Sequence, residues 1–250
     1  YLPFEVHPDS LKAAIAGLRA LGARGINVTI PHKEAVKGYL AELSEEARLI
    51  GAVNTVIFER DRAMGHNTDG RGFIASLEEE GICPPAGKDV IVLGAGGAAR
   101  AICVELLKVG VRRLVIANRT TSRATSLAEH LSSVIPAAVV EIAELNPSAL
   151  KEPVDSAAMV INTTSVGMGG GALPPLPWGA VRPDHIVCDI IYRPLKTSLL
   201  EQAEAKGCRT VNGLGMLIHQ GNLSFKLWTG QEFPLSVVRR ALLSRLEGGP

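Results

Sequence analysis

The sequence is poor in aromatic residues and in cysteine. Its 250 residues include 3 Tyr, 2 Trp and 5 Phe, so aliphatic side chains must fill most of the interior. The cysteines lie far apart, with neither a CxxC motif nor the spacing of metal ligands: Cys83, Cys103, Cys188 and Cys208. We therefore predict free thiols in a reducing compartment and no metal site.

An excess of charge and long apolar runs are also missing. The net charge is +1, whereas binding to nucleic acid or to a membrane surface requires a concentrated basic patch. No uncharged apolar run reaches membrane-spanning length, and no signal peptide opens the chain. We expect a cytoplasmic monomer or homodimer whose partner is a small-molecule substrate.

Strand and helix patterns alternate along the chain, which predicts an α/β fold. The first part contains, in order, strands, helices and a hairpin at residues 1–6, 9–21, 25–30, 33–39, 42–50, 52–59 and 62–67. A β-α-β-α-β order of this kind is typical of a parallel-type sheet with covering helices.

The second part has the pattern of a doubly wound Rossmann-type domain. Helices separate short apolar strands at residues 90–93, 114–117, 138–142, 159–162, 186–191 and 209–211. We predict two domains, with residues 71–215 forming the dinucleotide-binding domain. Residues 1–70 would form a catalytic domain, completed by the closing helices within residues 216–250.

A glycine-rich turn follows the strand at 90–93 and opens a helix. It fits G-x-G-x-x-A, in which the first glycine allows the tight turn and the second lets the backbone approach a pyrophosphate. The free N–H groups of the helix N-terminus then face the phosphates. We predict cofactor binding at Gly94, Ala95, Gly96, Gly97 and Ala98.

The loop after the strand at 114–117 indicates which dinucleotide binds. An NAD enzyme usually has an acidic residue there for the ribose 2′-hydroxyl, and this loop has none. Its cofactor candidates are polar or basic: Asn118, Arg119, Thr120 and Arg123. Arginine can bind a 2′-phosphate through paired N–H groups, which favours NADP. A solvated loop with incidental charge is the alternative.

The candidate chemistry lies in the first part. Lys33 follows a strand that Pro31 ends, although a single lysine is most often only a surface charge. Two further polar loops, with Asn54 in one and Asp69 in the other, lie in the same half of the chain. An aspartate beside a lysine in a cleft fixes the position of the amine and modulates its charge.

Seven motifs together resemble the shikimate dehydrogenase family, in the order of that family and over nearly the whole chain. They lie at residues 27–33, 51–55, 67–70, 94–99, 118–120, 162–168 and 213–220. The resemblance implies an NADP-dependent reduction of 3-dehydroshikimate to shikimate, in the synthesis of chorismate and aromatic amino acids. It needs no metal.

The resemblance also implies a role for each matching residue. Lys33 would transfer the proton, as a base or by stabilising the alkoxide, with Asp69 as its partner. The substrate would contact Thr29, Asn54, Tyr192 and Gln220. The nicotinamide and its ribose would contact Thr163, Ile190 and Gly213, and Glu45 matches a position sometimes assigned to the cofactor.

The sequence departs from the family at its start. The family normally begins with a strand and an S-x-S loop that binds the substrate carboxylate, and nothing before Tyr1 supplies it. We expect about 25–30 residues, roughly one β-α unit, to be absent from this chain.

Three alternatives stay open. A quinate or quinate/shikimate dehydrogenase often prefers NAD, which the two arginines do not favour. A metabolite sensor would need no proton relay, and a general nucleotide-binding scaffold would leave Asn54, Asp69 and Gln220 unexplained.

Overall fold

The computed structural model describes residues 1–59 and 62–247, and these form an α/β fold with two sheets. Residues 60, 61 and 248–250, which fall within the predicted catalytic segments, lie outside the described residues. None of the described helices has the length and apolarity to span a membrane. The described residues also include no metal-binding cluster of His, Cys, Asp and Glu, and all four cysteines are free.

The first part folds around a four-stranded sheet. Its elements are a 3-10 helix at Pro8–Ser10, α1 at Leu11–Ala20, β1 at Gly25–Asn27, a 3-10 helix at Ala35–Tyr39, β2 at Glu42–Leu43, α2 at Glu45–Ile50, β3 at Thr55–Glu59 and β4 at Arg62–His66. Their order in the sheet is β1-β3-β4-β2.

The parallel-type sheet predicted for this part was wrong. Strand β3 is antiparallel to both β1 and β4, and only β2 pairs with β4 in parallel. Strands β3 and β4 form the predicted hairpin, and consecutive strands joined by a tight turn must run antiparallel. Because β1 and β2 have only 3 and 2 residues, their sequence pattern could not indicate direction.

Three predicted elements in this part also differ. Residues 1–6 pair with no strand in the part of the chain that the structure describes, and Tyr1 is 96% exposed. Pro3 has no N–H to donate to a ladder. The helix predicted at 33–39 is a 3-10 helix, and the helix predicted from Glu42 begins only after Ser44, whose Oγ accepts the N–H of Ala47 at 3.1 Å.

The second part contains the larger sheet. Its elements are α3 at Asp69–Glu79, β5 at Asp89–Leu93, α4 at Gly97–Lys108, β6 at Arg113–Asn118, α5 at Thr121–Val134, β7 at Val140–Glu144, α6 at Lys151–Ser156, β8 at Met159–Asn162, β9 at Ile186–Asp189, α7 at Ser198–Ala205 and β10 at Arg209–Val211. Two helices close the chain, α8 at Leu214–Thr229 and α9 at Leu235–Glu247.

This sheet confirms the predicted doubly wound fold. The strand order is β10-β9-β8-β5-β6-β7, and every neighbouring pair is parallel. Both faces of β5 are buried between two hydrophobic clusters. The order reverses between β5 and β8, and ligands of such sheets bind where neighbouring strands diverge at their carboxyl ends. Leu93 and Asn162 lie side by side at that edge.

Helix α3 packs between the two parts of the molecule. A Cβ built on its Gly70 would lie 2.4 Å from the carbonyl oxygen of Ala101 in α4. A Cβ built on its Gly72 would lie 2.7 Å from the backbone nitrogen of Gln220 in α8. Because α3 contacts both sides so closely, the domain boundary at residues 70 and 71 stays a prediction.

Candidate active site

Lys33 and Asp69 form a buried ion pair. The Nζ of Lys33 donates to the Oδ2 of Asp69 at 2.6 Å, and the two side chains are 16% and 5% exposed. Asp69 begins α3, where its N–H donates to the Oδ1 of Asn67 at 3.0 Å. The carbonyl of Lys33 accepts the N–H of Val53 at 2.8 Å. Hydrogen bonds of their backbone groups therefore anchor both partners, Lys33 to the residue before Asn54 and Asp69 to Asn67.

The side-chain amide of Asn54 orients the aspartate. Its Nδ2 donates to the Oδ1 of Asp69 at 2.8 Å and to the Oγ1 of Thr68 at 2.9 Å. Its Oδ1 accepts the N–H of Thr68 at 2.9 Å, and the residue is 2% exposed. One oxygen of Asp69 therefore faces Asn54 while the other faces Lys33.

Ser224 lies beneath this group, and the sequence-based analysis missed it. Its Oγ is 2.7 Å from the Oγ1 of Thr55 and 3.2 Å from the Oγ1 of Thr68, and it donates to the carbonyl of Gln220 at 3.0 Å. The Nδ2 of Asn27 donates to the same Oγ at 3.2 Å. Its nearest partner outside α8 is 156 residues away in the chain, so no local motif could indicate the contact.

Besides Asn54, one predicted substrate residue hydrogen-bonds to a group next to the Lys33–Asp69 ion pair among the described residues, and it is Gln220. Its Oε1 accepts from the Nδ2 of Asn54 at 3.4 Å. Thr29 and Tyr192 are exposed, and no hydrogen bond in the described structure joins either hydroxyl to Lys33 or Asp69. Their contacts with substrate stay predictions.

The glycine turn has the geometry of a dinucleotide cradle. Gly94 has φ +111°, in the region that favours glycine, and a Cβ there would lie 2.5 Å from the Oγ1 of Thr163. Gly96 caps α4, and a Cβ built on it would meet nothing within 4 Å. Ala99 is fully buried, which lets α4 pack closely on the sheet. The turn and the helix N-terminus therefore fit a pyrophosphate group.

The side chain of Lys33 lies against this turn. A Cβ built on Gly97 would be 3.1 Å from both the Cβ and the Cδ of Lys33. Lys33 and the candidate pyrophosphate site are therefore neighbours. This contact joins the two sets of residues that the sequence-based analysis assigned separately to chemistry and cofactor.

The loop after β6 and the first turn of α5 present two guanidinium groups. Asn118 shapes the loop by donating from Nδ2 to the carbonyl of Thr120 at 2.9 Å. Arg119 and Arg123 are exposed, and neither forms an ion pair with a described carboxylate. Arg113, by contrast, pairs with Glu152 at 2.9 Å. The loop thus offers positive charge that a phosphate can neutralise.

The nicotinamide-side candidates adjoin the carboxyl ends of β5 and β9. The Oγ1 of Thr163 donates to the carbonyl of Leu93 at 2.7 Å. A Cβ built on Gly213 would lie 1.9 Å from the carbonyl oxygen of Ile190, so these two residues touch backbone to backbone. Glu45 lies exposed at the start of α2, and no described hydrogen bond or ion pair links it to the glycine turn.

Asp189 organises this edge, and the sequence-based analysis missed it too. Its carboxylate accepts from the Oγ1 of Thr197 at 2.7 Å, and from the Nδ2 of Asn162 and the N–H of Ile191 at 3.1 Å each. Burial raises the pKa of Asp189, although these three hydrogen bonds act in the opposite direction. The buried carboxylate fixes the loops on which Thr163 and Ile190 lie.

Three family models match successive parts of the chain. Residues 1–56 match the shikimate dehydrogenase substrate binding domain, and residues 80–166 match shikimate / quinate 5-dehydrogenase. Residues 213–243 match the shikimate 5'-dehydrogenase C-terminal domain. Together these matches include the loop of Lys33, the glycine turn and the whole of α8.

Individual relatives match over the whole length of the chain. A shikimate dehydrogenase (NADP(+)) of Moorella thermoacetica is 48% identical, with 100% of this chain and 85% of the relative covered. The crystal structure of a shikimate dehydrogenase in complex with NADP+ has a TM-score of 0.88 at 39% identity, covering 97% of this chain and 84% of that chain.

The Listeria monocytogenes shikimate 5-dehydrogenase, solved in complex with shikimate and NAD, has a TM-score of 0.87 at 38% identity. That match covers 97% of this chain and 85% of the Listeria chain. With its fold, its glycine turn and its full-length relatives in agreement, this chain belongs to the shikimate dehydrogenase family.

Proposed function

We propose that this chain is an NADP-dependent shikimate dehydrogenase, which reversibly reduces 3-dehydroshikimate to shikimate in the synthesis of chorismate and the aromatic amino acids. The observation that carries the proposal is the contact between Lys33 and Gly97, because it brings a buried amine–carboxylate pair to the dinucleotide turn. Full-length relatives that are named shikimate dehydrogenase (NADP(+)) support the same reaction.

In this proposal, Lys33 transfers the proton of the reacting hydroxyl, with Asp69 as its partner. A bound NADP would supply the hydride chemistry, as the acceptor in the oxidation of the alcohol and the donor in the reduction of the ketone. In the oxidation, Lys33 would accept the proton of the hydroxyl or stabilise the alkoxide that its loss leaves. In the reduction, Lys33 would donate a proton to the carbonyl oxygen, on which negative charge develops as the hydride arrives. Asp69 keeps the Nζ of Lys33 in place through the 2.6 Å hydrogen bond.

We assign the other hydroxyls of the substrate ring to polar residues around Lys33 and Asp69. Asn54 contacts Asp69, and Gln220 contacts Asn54, so we assign their amide groups to substrate hydroxyls. Thr29 and Tyr192 are exposed, and we assign their hydroxyls to the same polyol. A site that hydrogen-bonds substrate hydroxyls discriminates strongly against analogues that lack them.

NADP is the cofactor. We assign its pyrophosphate to the turn at Gly94, Ala95, Gly96, Gly97 and Ala98, and its 2′-phosphate to Asn118, Arg119, Thr120 and Arg123. The nicotinamide side is assigned to Thr163, Ile190 and Gly213. The exposed, unpaired guanidinium groups of the loop after β6 support the choice of a phosphorylated ribose.

A panel of four assays tests the proposal. Absorbance at 340 nm would follow the oxidation of shikimate and of quinate, each with NADP+ and with NAD+. We expect the highest kcat/KM for shikimate with NADP+. A preference for quinate with NAD+ would indicate a quinate dehydrogenase, and cofactor or shikimate binding without turnover in all four assays would indicate a metabolite sensor.

We also propose a reducing, cytoplasmic setting and a monomer or homodimer. The free thiols support the first point, and burial raises the pKa of the Cys103 thiol to about 12, which keeps it protonated and inert.

Light scattering coupled to size-exclusion chromatography would distinguish a monomer from a homodimer.

A further inference from the structure

Arg100 connects the dinucleotide helix to the residue next to Lys33. It lies in the first turn of α4, three residues after Gly97, and its side chain is 12% exposed. Its Nε is 3.3 Å from the Oε2 of Glu34, which directly follows Lys33 in the chain. The Nε–H has no well-aligned acceptor among the described residues, so Arg100 holds Glu34 by charge more than by a linear hydrogen bond.

The same guanidinium also adjoins the loop that leads to Asn54. A Cβ built on Gly51 would lie 3.3 Å from the Nη1 of Arg100. Gly51 ends α2 in the left-handed region, with φ +72°, and the chain turns there towards Asn54. Arg100 therefore touches both loops that carry the polar groups of the candidate active site.

The electrostatic environment of Lys37 is consistent with the ion pair between Arg100 and Glu34. Lys37 lies four residues after Lys33, and burial and Arg100 both lower its pKa, whereas Glu34 raises it. Glu34 is thus the carboxylate that faces two cations. Removing the charge of Glu34 or of Arg100 therefore changes the electrostatic interactions among Arg100, Glu34 and Lys37.

We infer that Arg100 is a positioning residue, which fixes the backbone of Lys33 relative to the cofactor turn through its ion pair with Glu34. Four contacts then hold Lys33: Val53 at its carbonyl, Asp69 at its Nζ, Gly97 against its aliphatic chain, and Arg100 through the next residue. Only the last two come from the dinucleotide half. The inference rests on the proposed role of Lys33.

The expected consequence is a loss of turnover with little loss of binding. Misplacing a reacting group by about 1 Å can lower the rate roughly 100-fold. We expect Arg100→Gln and Glu34→Gln each to lower kcat by about 10- to 100-fold. The KM for shikimate and the Kd for NADPH should change little, because neither side chain belongs to the proposed binding sets.

A double-mutant cycle separates positioning from general stabilisation. If the two residues act through one ion pair, the double variant is no slower than the slower single variant, since the second substitution removes nothing more. Arg100→Lys keeps the charge but loses the planar guanidinium and its reach, so it should restore only part of kcat. Glu34 is partly exposed, so Glu34→Gln keeps the test usable if Arg100→Gln folds poorly.

A matched pair at the other end of the sheet serves as the control. Arg113, at the amino end of β6, pairs with Glu152 at 2.9 Å. Arg113→Gln and Glu152→Gln remove the same charges far from the cleft, so they should lower the melting temperature without lowering kcat.

Two results would overturn the inference. Additive kcat losses in the double variant would show that Arg100 and Glu34 act separately. Unchanged kcat in both single variants, with a lower melting temperature, would make the pair merely structural. Lys33→Met distinguishes these from a failure of the proposed function: if that variant keeps full turnover, it is the role of Lys33 that is wrong.

Discussion

At the scale of single residues, the carboxylate of Asp69 depends on a buried network of polar groups. Asn54 orients one of its oxygens and is itself held by Thr68. The hydroxyls of Thr68 and Thr55 meet at Ser224 of α8. A buried polar network of this kind is stabilising only when every member is satisfied.

Ser224→Ala tests this network. Removing the hydroxyl leaves Thr55 and Thr68 short of a partner, and we expect the free energy of unfolding to fall by about 1–3 kcal/mol. We also expect a few-fold lower kcat, because Thr68 helps to hold Asn54. Urea unfolding and steady-state assays measure the two effects. Ser236→Ala, at an exposed position of α9, is the control.

The cofactor preference also belongs to single residues. Arg119→Gln removes one guanidinium from the exposed loop after β6, and we expect it to raise the KM for NADP+ far more than the KM for NAD+. The measurement is the ratio of the two kcat/KM values. Equal losses with both cofactors would mean that Arg119 does not contact the 2′-phosphate. Arg112→Gln, remote from this loop, is the control for the loss of charge.

At the scale of elements, local patterns were informative where the chain forms the parallel sheet. Strand β5, the glycine turn and α4 were predicted from an uninterrupted apolar run, a motif and a helical period. Residues 1–6 also have the pattern of a strand, yet they lack a neighbouring strand in the described structure. A strand requires a partner as well as a pattern, and a partner cannot be read from local sequence.

The residues of the candidate site also fall into two groups, those that the sequence predicts and those that it does not. The glycine turn and Lys33 were predictable because a motif or a family resemblance names them. Ser224 and Asp189 were not, because each acts through partners that only the fold brings near. Asp189 meets Asn162 across neighbouring strands, 27 residues apart in the chain.

The close packing of α3 gives a prediction at this scale. We expect Gly70→Ala to lower stability by about 1–3 kcal/mol, because its methyl group would collide with the carbonyl of Ala101 and force α3 away from α4. Thermal unfolding measures the change. Gly17→Ala is the matched control, since Gly17 lies inside α1 with nothing within 4 Å of the added carbon. That variant should gain about 0.5–1 kcal/mol.

At the scale of the whole molecule, several polar contacts join the first part to the dinucleotide part. His130 of α5 reaches the carbonyl of Leu49 at 2.8 Å, and Arg100 reaches Glu34. Glu46 of α2 lies 3.7 Å from Lys108 of α4. These contacts join α2 and the residue after Lys33 to helices of the dinucleotide part.

Glu46 makes this junction sensitive to pH. Burial is the main cause that raises its pKa above the ordinary 4.5; Glu105 adds to the rise, whereas Lys108 and Arg71 oppose it. A raised pKa means that the folded protein holds the proton more tightly than the unfolded chain does. Glu46 therefore favours folding below about pH 4.5, and that contribution is lost as the pH rises through the folded-state pKa.

Glu46→Gln should consequently gain stability relative to the parent protein as the pH rises from about 4 to 8. Urea unfolding midpoints across that range measure the difference. Glu129→Gln, at an exposed position of α5, controls for the change in net charge. A difference between parent and Glu46→Gln that stays constant with pH would contradict the assignment.

The most direct test of the central claim is the turnover of Lys33→Met, with shikimate and NADP+ followed at 340 nm and NADPH binding followed by fluorescence. Methionine keeps the apolar contact with Gly97 but has no amine to transfer a proton to or from the reacting hydroxyl of the substrate. We expect kcat to fall by about 100-fold or more, as for other proton-transfer residues, with NADPH bound as tightly as before. Turnover close to that of the parent protein would contradict the account.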